Sequence, residues 1–151
     1  MKMNLKNYTS GVPPTRSVSQ IEQTLVSIGA KHIAKTYDDN SNLSGITFQI
    51  TQDNRPMIFK LPANVELIEK MMLDEVKRPR RGTIEKTKDQ AQRTAWKLLL
   101  DWVEVQASMI IIGRREAMEV FLPYAYDPQR DQTFFERLQE TKFKMLNAGG
   151  N

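Results

Sequence analysis

The apolar positions along this chain change period twice. Val18, Ile21, Leu25 and Ile28 recur at helical spacing, preceded by Ser17, which has cap chemistry and a Gln20 three positions on, and followed by Gly29. The period then drops to two. Over 32–37 the residues Ile33, Lys35 and Tyr37 share one face, the polar run 38–42 turns the chain, and Ile46, Phe48 and Ile50 alternate cleanly. A second turn at Gln52-Asp53-Asn54 leads to Met57, Phe59 and Leu61 on one face, and Pro62 closes the segment. Three short strands joined by polar turns predict a three-stranded antiparallel meander.

Helical spacing returns at Asn64, a cap residue, with Val65, Ile68, Met71, Met72 and Val76 directed inward. A basic turn follows, Arg78-Pro79-Arg80-Arg81-Gly82, with Thr83 or Thr87 available to cap the next helix. That helix is expected from about 87 to 112. On a wheel its consistently polar stripe is Gln90, Lys97, Asp101, Glu104 and Ser108. One apolar row carries Ala91, Ala95, Leu98, Leu99, Trp102 and Met109, and another carries Trp96, Leu100, Val103, Ala107 and Ile111. Two rows need two covers: the sheet for one, and another helix or a second copy for the other, so a homo-oligomer is expected. Past Gly113, residues 114–120 predict a short helix that Pro123 ends, the aromatic stretch 121–126 packs on the core, and Phe134, Phe135, Leu138 and Phe143 mark a last amphipathic piece. The expected organisation is an extended arm over 1–16, weakly ordered unless it docks on a partner, a single α+β domain over 17–146, and a disordered tail over 147–151.

Composition removes several function classes. With 151 residues, 40% of them apolar, one domain can bury a core without staples, and with no cysteine there is neither a disulfide nor a thiolate metal site. The most apolar run, 109–112, is far short of a membrane span, and the N-terminus lacks the apolar core of a secretion signal, so a soluble, cytoplasmic chain with no membrane partner is expected. His32 is the only histidine and starts a strand, which leaves a serine nucleophile without a base. Asp38 and Asp39 sit in a turn without the spacing of a calcium loop, and Asp127 and Asp131 flank Pro128 in another loop. No phosphate-binding glycine motif occurs among the seven glycines. No catalytic residue, metal site or cofactor is therefore assigned, and binding rather than catalysis is expected.

Charge is what singles out a site. Between Lys77 and Lys97 lie eight basic residues against two acids, Glu85 and Asp89, a net +6 in a chain of net +4. The rest of the chain sums to −2, so the positive charge is local. Arginine forks beside a helix N-terminus, where unpaired N–H groups point outward, suit phosphate. Lys77, Arg78, Arg80 and Arg81 form the centre of the candidate site; Arg93 with Trp96 three positions on could add a guanidinium beside a stacking plane, and Lys97 extends the face. The competing reading of that pair places Trp96 in the core or a subunit interface, with Arg93 over its ring. Arg114 and Arg115, at the far end of the long helix, would join the same positive surface in an antiparallel dimer.

Asn7-Tyr8-Thr9-Ser10, the run Gln90-Ala91-Gln92-Arg93-Thr94-Ala95-Trp96-Lys97, Asp101-Trp102-Val103-Glu104 with Gln106, and Val120-Phe121-Leu122-Pro123-Tyr124 together resemble a family of small uncharacterised proteins encoded by bacteriophages, prophages and other mobile elements. The resemblance covers nearly the whole chain. It implies a phage-type origin and a host-cell cytoplasm, and it carries no activity. Two functions fit that setting and the basic cluster. The first is nucleic-acid binding through backbone contacts or single strands; the second is countering a host defence, by sequestering an anionic nucleotide at subunit interfaces or by docking on a defence protein.

Overall fold

The computed structural model describes residues 4–148. Its first helix, α1 (Pro14–Ser27), opens three residues ahead of Ser17. Pro13 takes the N-cap position and Pro14 the first helical one, where a missing N–H and a fixed φ do no harm. Ser17 is thus not a cap: it lies inside the helix, fully buried, and its Oγ has no partner among the described residues. Gly29, at φ +99°, ends α1 in the left-handed conformation that glycine adopts freely, and the amides of Gly29 and Ala30 close back onto Val26 O and Leu25 O.

The meander forms as expected: β1 (Lys31–Tyr37), β2 (Leu43–Gln52) and β3 (Arg55–Pro62) pair antiparallel in the order β1-β2-β3. Ile46 lies opposite Leu61 and Phe48 opposite Phe59, and the two phenyl rings stack with centroids 5.4 Å apart. Asp38 Oδ1 accepts from the amides of Asn40 and Asn42 and so shapes the β1–β2 turn. β1 departs from simple alternation. Its register shifts between Lys31 and Ala34 and again between Thr36 and Tyr37, and His32 sits at φ 54°. Lys35 and Tyr37 are consequently exposed rather than core-facing, as befits an edge strand twisted off its register.

Helix α2 (Val65–Asp74) is shorter than the apolar spacing suggests. Ile68 and Met72 are buried, but Met71 is 47% exposed and Val76 lies past the helix end. Asn64 holds the N-cap position in a left-handed conformation, with no side-chain cap bond. Helix α3 (Arg81–Ile111) begins well before residue 87, taking in Arg81 and Gly82. Gly82 costs a helix about 1 kcal/mol without breaking it, so the effective stop is Pro79. At 31 residues α3 is about 46 Å long.

One apolar row of α3 is covered within the chain, apart from its last residue, and the other only in part. Ala91, Ala95, Trp96, Leu100, Val103 and Ala107 are buried, with α1 and α2 lying along the helix and one core cluster joining it to Phe48, Phe59 and Leu61 of the sheet. Leu98, Leu99, Trp102 and Met109 stay half-buried, while Ile111 is 65% exposed. The row carrying Trp96, Ile111 apart, is therefore covered within the same chain, and its Trp96 donates to Leu43 O of β2.

The C-terminal third closes one end of the core. α4 (Ala117–Phe121) is confined to the later part of the expected 114–120 helix and passes into a 3-10 turn, Leu122–Tyr124, at Pro123. Phe121 is fully buried and meets the rings of Phe48, Phe59 and Trp102 at 5.1, 5.8 and 5.9 Å. A two-stranded hairpin, β4 (Tyr126–Asp127) and β5 (Gln132–Thr133), precedes α5 (Phe134–Glu140), which Thr133 and Glu136 open with a reciprocal capping box. Asn147 and Ala148, in the expected tail, are exposed; 149–151, like 1–3 of the expected arm, lie outside the described residues. No described helix is long and apolar enough to cross a membrane.

Candidate nucleic-acid interface

The polar stripe of α3 holds the N-terminal arm. Gln90 Nε2 donates to the carbonyls of Tyr8 (2.9 Å) and Ser10 (3.1 Å), Thr94 Oγ1 donates to Asn7 O (2.9 Å), and Arg93 Nε donates to Ser10 O (3.3 Å). Two turns on, Asp101 accepts from Asn7 Nδ2 at 2.9 Å and pairs with Lys97 at 2.8 Å and Lys6 at 3.3 Å. Partial burial pushes the Asp101 carboxyl up, but the bonds from Asn7, Lys97 and Lys6 outweigh that and hold it at about 2. Residues 6–10 of the segment expected to await a partner are thus docked on their own chain, the carbonyls of Asn7, Tyr8 and Ser10 accepting from side chains of α3.

The basic turn lies just beyond this strap. Lys77, Arg78, Arg80 and Arg81 are all exposed, and among the described residues only Arg81 has an ion-pair partner, a 3.6 Å contact to Glu85 between two solvated side chains. Such a pair contributes little. Arg78 sits at φ 56°, a left-handed kink that reverses the chain before Pro79. No side chain caps α3 and its first turn carries no acid, so neither Thr83 nor Thr87 serves as the cap. The leading N–H groups of a long helix therefore open among guanidinium groups, where an acid or hydroxyl would ordinarily stand.

Between the arm, the end of α2 and the first turns of α3 runs a groove of about 500 Å³. Tyr8 and Thr9 line it from the arm, Met72 and Val76 from the α2 side, and Thr83, Lys86, Thr87, Asp89, Gln90 and Arg93 from α3. Lys86 has no ion pair or hydrogen-bond partner among the described residues. Lys86 belongs to the charge run, but Tyr8 and Gln90 are 82 residues apart in sequence and only the folded arm brings them together.

Other candidate residues are arranged differently from the expectation. Trp96 is 0% exposed and its Nε1 donates to Leu43 O at 3.3 Å, so its ring is core and offers no plane to a ligand. Arg93 is half-buried, its Nη2 donating to Gln90 Oε1 at 2.7 Å. Lys97 is engaged by Asp101. Arg114 and Arg115 follow the C-terminus of α3, where cations complement the helix dipole, and Arg115 pairs with Glu119 at 3.0 Å. Within one chain the length of α3 separates them from the basic turn.

A second cavity, about 460 Å³, has mostly apolar walls from Leu61, Pro62, Leu98, Leu99, Trp102, Val105 and Tyr124, and its one cation, Lys6, is paired with Asp101. That chemistry does not suit phosphate. On the opposite side, Asp131 accepts from the Tyr126 hydroxyl and pairs with Lys60 at 3.6 Å, while Lys60 lies 4.9 Å from the Tyr126 ring centre. The Tyr126 bond and the Lys60 charge lower the Asp131 carboxyl, and the same bond raises the Tyr126 phenol, which ties β3 to the β4–β5 hairpin. Among the described residues no three His, Cys, Asp or Glu side chains cluster as a metal site would need. Comparison with protein-family models, with curated proteins and with solved structures finds no match for this chain.

Proposed function

We propose that this protein is a non-enzymatic, phage-type accessory protein that binds nucleic acid, through backbone phosphates held by Lys77, Arg78, Arg80 and Arg81 at the N-terminus of α3, with Lys86 beside them. The observation that carries this reading is the pairing of exposed arginines, of which only Arg81 has an ion-pair partner among the described residues, with an uncapped helix start in one exposed turn. The cluster carries no recognisable sequence-reading motif, so contacts to phosphate give affinity with little sequence preference.

An antiparallel pair of chains, brought together on the exposed Val105, Ile111 and Ile112, would add Arg114 and Arg115 to this surface. Sequestration of a small nucleotide between subunits depends on that pairing, since the two basic groups are about 46 Å apart along one helix. Titration of a fluorescent single-stranded oligonucleotide at low ionic strength tests the proposal. Saturable binding that weakens as salt is raised supports it; no binding at low ionic strength rejects it.

A further inference from the structure

We infer that the groove between Tyr8 and the first turns of α3 takes an unstacked base of a single strand, with Tyr8 as the stacking platform and Lys86 on the adjoining phosphate. This rests on the nucleic-acid reading above and adds which form of nucleic acid is favoured and which aromatic residue favours it. Buried Trp96 cannot serve; Tyr8 is 41% exposed and lines the groove. The groove, about 500 Å³, is within the range of small-ligand sites, roughly 300–1,000 Å³.

The platform is held in advance. Tyr8 O accepts from Gln90 Nε2, Tyr8 N donates to Leu5 O at 3.2 Å, and the neighbouring Asn7 is tied to Asp101. These bonds use the backbone and leave the ring to the groove, so a base meets an aromatic side chain whose backbone is already ordered in the fold. Met72 and Val76 supply an apolar wall opposite the helix. Asp89 also lines the groove, and its carboxylate repels phosphate while accepting from exocyclic amines of a base. The phosphate therefore goes to Lys86, continuous with the cations of the turn, and the base to the Tyr8 side. A paired base in a duplex presents no free face, whereas an unpaired base of any identity does.

The test compares single- and double-stranded oligonucleotides of one length for the wild type, Tyr8→Ala and Tyr8→Phe, with 2-aminopurine in the single strand reporting stacking. Tyr8→Ala should weaken single-strand binding about tenfold or more, leave duplex binding and the salt dependence unchanged, and abolish the 2-aminopurine quenching, while Tyr8→Phe behaves as wild type. Single-strand affinity unchanged in Tyr8→Ala, or lost equally for duplex, overturns this inference alone. Failure of the wild type to bind either form at low salt overturns the function proposed above with it.

Discussion

Asn7 donates its side-chain amide to the carboxylate of Asp101 at 2.9 Å, joining the N-terminal arm to α3 across 94 residues of chain. The same carboxylate is paired with Lys97 and Lys6, and its side chain is only 21% exposed, so its charge is central to docking the arm. Its folded pKa of about 2 lies below the ordinary 3.8, so the stabilisation is fully present above about pH 4 and is lost as pH falls through 2. Asp101→Asn should lower unfolding free energy by about 2 kcal/mol at pH 7, with the difference from wild type shrinking towards zero near pH 2. Urea unfolding of both proteins across that pH range measures it; a difference that does not change with pH contradicts it.

Ser17 presents the opposite case, a buried hydroxyl in the first turn of α1 without a partner among the described residues. Removing an unsatisfied polar atom takes away a desolvation cost, and alanine is the better helix former. Ser17→Ala should be neutral or stabilising by up to about 1 kcal/mol. A loss of more than 1 kcal/mol in the same assay would mean that the hydroxyl has a partner after all.

Trp96 separates folding from binding. Its indole fills the core and donates to Leu43 O, so Trp96→Ala should cost about 3–5 kcal/mol. Trp96→Phe, which keeps an aromatic ring but drops the donor, should cost less and leave oligonucleotide affinity per folded molecule unchanged. A specific affinity loss in folded Trp96→Phe would show that the ring takes part in recognition.

The elements most legible in the sequence were those with an uninterrupted period. Phe48 and Phe59 announce their strands and their face because each sits in a clean alternation between polar turns, and the three-stranded meander follows. The two-residue strands at Tyr126 and Gln132 are too short to alternate, and the bulged β1 breaks the pattern its composition suggests. The start of α3 was obscured because Arg81 and Gly82 have turn composition yet form its first residues.

The basic turn itself is legible as a run of charge, whereas the groove beside it is not. Gln90, Lys97 and Asp101 look like a solvated stripe until the arm is seen to lie on them. Nothing in local pattern links Tyr8 to Gln90 at a separation of 82 residues. Trp96 illustrates the converse, since helical spacing places it near Arg93 but says nothing of which side the core lies on.

The salt dependence of oligonucleotide binding by Arg78→Ala/Arg80→Ala/Arg81→Ala, set against the wild type, tests the central claim most directly. All three side chains are exposed and among the described residues only Arg81 has even a weak partner, so the variant should fold with unchanged stability. Loss of three phosphate contacts should weaken low-salt binding by at least tenfold and flatten the slope of log K against log salt by about two. A variant that keeps the wild-type affinity and the wild-type slope would contradict the account.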